Sequence, residues 1–135
     1  MGRMIVVMTT ISDPMQRVFA RGDLIDITTT GRRTGQPRRI EIVYHVLDGR
    51  IYISGSPRAD RKRSWLGNLE RDPRFTFHLK RGSKADLPAT ARIVEDPEER
   101  RTVMRRIIET AWHGQNLEAM VAHSPLIEVT FEKAA

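Results

Sequence analysis

Apolar and polar residues alternate over most of the first two-thirds of the chain, the pattern of half-buried strands. Leu24 to Thr30 places Ile25, Ile27 and Thr29 on one face and Asp26 and Thr28 on the other. Arg38 to Leu47 alternates in the same way, with Ile40, Ile42, Tyr44 and Val46 on one side. Asp48-Gly49 then reads as a two-residue hairpin turn, and Arg50 to Ser54 as its return strand. These three segments predict an antiparallel meander. Arg74 to Lys80 predicts a fourth strand with Phe75, Phe77 and Leu79 inward and Thr76, His78 and Lys80 outward. Ala89 to Glu95 and Leu126 to Phe131 complete a set of about six.

The helical signals lie between and after the strands. Asp13-Pro14 predicts a short helix from about Pro14 to Arg21, ended by Gly22, and Ser64 to Glu70 a second, stopped by Asp72-Pro73. Asp96-Pro97-Glu98-Glu99 joins an Asp cap, a first-position proline and an acidic third position, a strong helix start. Val103, Met104, Ile107, Ile108, Ala111 and Trp112 then fall on one stripe, and Gly114 ends the run. Leu117 to Ala122 is a further short helix. The strands follow one another too closely for βαβ units. An α+β fold results: an antiparallel sheet or small barrel with flanking helices.

Length and composition fit one globular domain over residues 1–135, with 39% hydrophobic and 30% charged residues. The absence of cysteine excludes disulfides and thiolate chemistry, and no apolar run is long enough for a membrane span. A soluble, cytoplasmic protein is expected. Charge changes the picture more. There are 23 basic against 17 acidic side chains, a net charge of +6 and a pI near 10.5. The excess is concentrated. Arg32, Arg33, Arg38 and Arg39 surround one turn, and Arg58, Arg61, Lys62 and Arg63 follow the third strand.

The turn at Gly31 to Pro37 is the main candidate site. Four guanidinium groups repel one another there, which an anion would relieve. Gly31 and Gly35 allow unusual backbone or close approach, and Thr28, Thr29, Thr30, Thr34 and Ser54 add hydroxyls around the same hairpin. Arginine forks and turn N–H groups are the donors that phosphate and carboxylate recognition uses. The four histidines show no metal-ligand spacing, and there is no phosphate-binding glycine loop or nucleophile elbow. A nucleic-acid-binding barrel would need exposed aromatics beside the cations. Only Trp65 and Tyr44 stand near, and both pattern as core, so no nucleic-acid partner is expected.

TTTGRRTGQPRR, followed by the Asp-Gly hairpin, a strand ending in Ser-Gly-Ser and WLGNLERDPRFTF, resembles the deazaflavin-dependent nitroreductase family over roughly Leu24 to Lys80. The resemblance implies a split β-barrel related to FMN-binding oxidoreductases. It implies coenzyme F420 as cofactor, with FMN the alternative, and hydride transfer to a small electron-poor acceptor such as a quinone, nitroaromatic or activated enone. A degenerate member without cofactor is a further alternative. By match to the family's loop, Arg32, Arg33, Thr34, Gly35, Pro37 and Arg38 would bind the cofactor's phosphate and acidic tail. Ser54, Ser56 and Arg58 would lie beside it where the third strand ends. Trp65 and Asn68 match the helix supporting the pocket, and Tyr44 and Trp112 are the aromatic candidates for an acceptor. No metal is implied. A homodimer fits the pairing habit of split barrels, although no apolar stripe is surplus to the core. Two positions depart from the family. Glu41 stands where a proline is common and would oppose an anion unless paired with Arg38 or Arg39. Pro57 stands where a lysine is common.

Overall fold

The computed structural model describes residues 22–60, 62–81 and 84–132. The helix expected over Pro14 to Arg21 lies outside them. Six strands alternate with three helices: β1 (Leu24–Thr30), β2 (Pro37–Leu47), β3 (Arg50–Ser54), α1 (Ser64–Arg71), β4 (Arg74–Leu79), β5 (Ala85–Ile93), α2 (Pro97–Thr110), α3 (Leu117–His123) and β6 (Leu126–Phe131). The strands close into a barrel in the order β1-β2-β3-β6-β5-β4, every neighbouring pair antiparallel. Closure leaves no unpaired sheet edge.

Alternation decides which side chains fill the barrel. Ile25, Ile27, Tyr44, Ile51, Ile53, Phe75, Phe77 and Leu79 form one buried cluster inside it, joined by Trp65 and Leu69 from α1. Phe77 stands edge-on to both Tyr44 and Phe131 at ring separations of 5.3 and 5.2 Å. The opposite faces of β2 and β3 supply Leu47 and Tyr52 to a second cluster, with Val103, Met104 and Ile107 from α2 and Met120 from α3. Strands covered on both faces bury both sets of alternating residues, which is why His45 and Ser54 are as hidden as their apolar neighbours.

Local signals hold with few exceptions. Asp48 and Gly49 both take positive φ, 53° and 77°, as a two-residue hairpin with the sheet's twist requires. Asp96 caps α2 by accepting from the Glu99 N–H at 2.9 Å. The apolar stripe of α2 stops earlier than its spacing suggests: the helix ends at Thr110, Ala111 is exposed and Trp112 is half-buried. β5 begins at Ala85 rather than Ala89, because Leu79 pairs with Ala85 and the ladder continues through Leu87. Pro88 is tolerated there on an exposed position.

Candidate functional site

The β1–β2 connection reads Gly31 to Gln36, and two backbone bonds shape it. The Gly31 N–H donates to the Gln36 carbonyl and the Gly35 N–H to the Gly31 carbonyl, both at 2.8 Å. Gly35 has φ of +72°, the left-handed region that glycine enters without a Cβ penalty. The Thr34 hydroxyl accepts from the Gln36 N–H at 3.2 Å. A Cβ on Gly31 would sit 3.1 Å from both the Gln36 carbonyl oxygen and Thr34 Oγ1, so the first glycine is needed for space.

α1 fixes the turn from the side. Asn68, 4% exposed, accepts from the Arg32 N–H at 3.0 Å through Oδ1 and donates through Nδ2 to Thr29 Oγ1 at 3.0 Å. The Arg32 guanidinium reaches the Ser64 carbonyl at 3.3 Å and lies against Gly67, where a Cβ would come within 3.0 Å of it. Arg32 is thereby braced against α1 while still lining the cavity at the turn. The alternation along β2 sends Arg39 to the barrel's outer face, where it pairs with Asp26 at 2.9 Å while still bordering the cavity at the turn. Asp26 also holds Lys80 at 2.8 Å, and Lys80 holds Glu41. The Lys80 ammonium, ahead of Arg39, keeps the Asp26 carboxyl below its ordinary range. Glu41 thus pairs with Lys80 rather than with either expected arginine.

Two cations remain. Among the described residues, Arg33 and Arg38 are exposed and have no hydrogen-bond or carboxylate partner. Both border a cavity of about 630 Å³, together with Thr34, Pro37, Ser64 and Trp65. Its rim is cationic, and one wall is the nearly buried Trp65 ring, 8% exposed. An anion with a flat apolar part suits such a lining.

Of the expected site residues, the cavity brings together Arg32, Arg33, Thr34, Pro37 and Arg38. The others go elsewhere. Gly35 shapes the turn but borders a neighbouring cleft. Ser54 is 2% exposed and donates its hydroxyl to the Pro125 carbonyl at 2.6 Å, because its strand face is covered by α2. Ser56 accepts from Arg63 Nη2 at 3.1 Å, and Arg58 pairs with Asp60 at 3.0 Å. Arg58 lines a second cavity whose α1 residues (Leu66 and Glu70, with Arg63 just before the helix) fall on the side of the helix away from Ser64, Trp65 and Asn68. The two basic clusters do not converge. Tyr44 is fully buried against Phe77, and Trp112 packs edge-on to His45 at 4.8 Å. Neither borders the arginine cavity, and Tyr44 lies six residues up β2 from Arg38, about 20 Å along an extended strand.

Thr29 and Gly31, expected around the turn, also line the cavity, whereas Ile40 and Ser64 are wall residues that the sequence did not single out. The glycine before the arginines was the available signal for Gly31. His78, expected outward in a solvated or structural role, points outward and takes the structural one: it is 7% exposed and bridges Thr28 Oγ1 and Asp86 Oδ1, each at 2.7 Å.

With this geometry in hand, the model of the F420H(2)-dependent quinone reductase family matches residues 4–130. The chain belongs to that family. It is accordingly an F420-dependent oxidoreductase. The barrel is also similar to solved structures. A candidate 5-nitroimidazole antibiotic resistance protein from Bacteroides thetaiotaomicron is 16% identical with a TM-score of 0.67, covering 90% of this chain and 81% of its own. A conserved hypothetical protein from Mycobacterium tuberculosis is 24% identical with a TM-score of 0.66 at the same coverage. A structure described as an F420-H2 dependent reductase is 22% identical with a TM-score of 0.56, covering 79% of this chain and 93% of its own. At these identities the likeness is one of fold, and it establishes the split barrel. Among the described residues no helix is long and apolar enough to cross a membrane.

Proposed function

We propose that the arginine turn holds the anionic part of F420, with Arg33 and Arg38 as the charge-bearing ligands. Arg32, Asn68 and Thr29 hold the turn in shape, and Trp65 forms the apolar wall. The observation that carries this reading is the pair of arginines without partners over a cavity, beside two arginines already engaged. Planar guanidinium groups bind phosphate and carboxylate through paired N–H donors, and charge-assisted bonds are about twice as strong as neutral ones. When bound, reduced F420 supplies two electrons and a proton as hydride to an electron-poor acceptor, and a quinone then takes one further proton to become a hydroquinone. The chain's own part is to bind, orient and partly desolvate.

The acceptor in this reading is a quinone, with nitroaromatics and activated enones as chemically related alternatives. Neither Tyr44 nor Trp112 enters it as an acceptor contact. A homodimer, the arrangement expected of split barrels, belongs to the same reading and is checked by the mass in solution.

Titration of the purified protein with oxidised F420, followed by the cofactor's fluorescence, tests the assignment. Saturable one-to-one binding is expected, followed by oxidation of reduced F420 on adding menadione. No saturable binding below millimolar F420 would remove the turn from the cofactor site.

A further inference from the structure

The cavity on the far side of α1, about 440 Å³, belongs to no part of the arginine turn. Its walls come from the loop after β3, from α1, from the residues between β5 and α2, and from the junction of α3 with β6. Leu66, Ile93 and Leu126 give it an apolar floor.

Charge is unevenly met around that floor. Arg58, Lys62, Arg63 and Arg100 line it against Glu70 and Glu95, four cations to two carboxylates. Asp60 engages Arg58 and Glu70 engages Lys62. Arg100 differs from both. Its half-buried guanidinium donates to four backbone carbonyls: Val94 at 2.9 Å, Val121 at 2.9 Å, Met120 at 3.3 Å and Ser124 at 2.6 Å. No carboxylate pairs with it among the described residues, and burial alone lowers its pKa. The carbonyls of Met120, Val121 and Ser124 cluster at the C-terminal end of α3, so Arg100 also ties α2 to α3. A second polar group is unmet beside it. Ser124, 5% exposed, lines the same cavity, and its hydroxyl is buried with no hydrogen-bond partner among the described residues. Buried hydroxyls without partners are rare, and each calls for a physical explanation.

We propose that this cavity is a second binding site, selective for an aromatic carboxylate whose ring rests on Leu66, Ile93 and Leu126 and whose charge faces Arg100, Ser124 and the exposed rim at His123. The carboxylate supplies the counter-charge that Arg100 lacks and an acceptor for the Ser124 hydroxyl. The apolar floor favours a ring over an inorganic anion, and the volume falls within the range of small-molecule pockets. This inference stands apart from the cofactor at the turn, because the two cavities share only the body of α1.

The test is calorimetric titration of the full chain with 1-naphthoate and with its uncharged analogue 1-naphthamide. Naphthoate is expected to bind one-to-one, and the amide at least about tenfold more weakly, the scale of one charge-assisted contact. Arg100 is left in place because it clamps two helices. His123→Glu, at an exposed position on the rim, brings a negative charge to the site and weakens naphthoate binding by at least about tenfold, with only a small fall in Tm because a carboxylate at the end of α3 opposes the helix dipole. Ser124→Ala weakens it by a smaller factor and melts no lower than the parent, since it removes an unmet buried group. Arg38→Ala leaves naphthoate binding unchanged. Equal affinity for acid and amide, absence of saturable binding, or binding lost in Arg38→Ala but kept in His123→Glu would each overturn the proposal. F420 titration of the same samples separates this outcome from failure at the turn.

Discussion

The two ends of β2 are built for opposite purposes. At one end Arg38 and Arg39 stand in solvent beside a glycine turn, while at the other His45 and Leu47 are sealed beneath α2. The same alternation generates both. It sends Ile40, Ile42 and Tyr44 into the barrel, with Arg38 on the same side at the exposed mouth, while the outer face runs from Arg39 through Glu41 to the sealed His45 and Leu47. Midway, Glu41 is joined to Lys80 and Asp26, and charge is neutralised within the wall. The wet end leaves two cations without partners. The dry end leaves a neutral imidazole. Partnering, rather than charge density in sequence, separates a site from a surface.

If the dry end is structural, acid should attack it first. Burial pushes the His45 pKa from 6.5 down to about 4, and its Nε2 has no hydrogen-bond partner among the described residues. The unfolded chain therefore takes up a proton below pH 6.5 that the folded chain refuses until about pH 4. Stability is full above 6.5 and falls by about 3 kcal/mol as pH drops between those values. Denaturant melts across that range check this, and His45→Phe, which keeps a ring against Trp112, should flatten the dependence. An unchanged pH profile in His45→Phe would remove the contrast.

The support of the wet end comes next in size. Asn68→Ala leaves the Arg32 N–H and the Thr29 hydroxyl without their partner and should cost roughly 1–3 kcal/mol of stability. F420 affinity should fall with it, because the turn loses its brace. At the wet end itself, Arg38→Ala should weaken F420 binding by on the order of 1–3 kcal/mol while leaving the melting temperature within error. A large loss of stability would place Arg38 in the scaffold with Arg32. Smallest is the middle of the strand: Glu41→Gln should change F420 affinity by less than about twofold, since its charge is met by Lys80 in the wall.

Most of the barrel was legible from alternation, because each strand has one face in the same interior. β1, β3 and β6 have the expected bounds, and the Asp-Gly hairpin and the Asp96 cap formed as their chemistry requires. The turn was legible too, as a glycine-bracketed cluster of like charges. Residues with two competing environments were harder to read. Ser54 ends a strand whose outer face α2 covers, so proximity in sequence to the basic loop said nothing of its direction. Trp112 follows a helix that ends two residues before its apolar stripe does, and it packs edge-on to His45. Arg32 and Arg33 are adjacent and identical in type. Only the position of Gly67 and Asn68 across the turn makes one a brace and the other a free donor. Such pairing depends on contacts 36 residues apart, which no local pattern encodes.

The central claim is that Arg33 and Arg38 bind the cofactor while Arg39 serves the wall. It is tested most directly by F420 titrations of the Arg33→Ala/Arg38→Ala double variant and of Arg39→Ala against the parent chain. The double variant is expected to lose affinity by on the order of a hundredfold, and Arg39→Ala by less than about threefold. Equal losses in the two, or an undiminished affinity in the double variant, would contradict it.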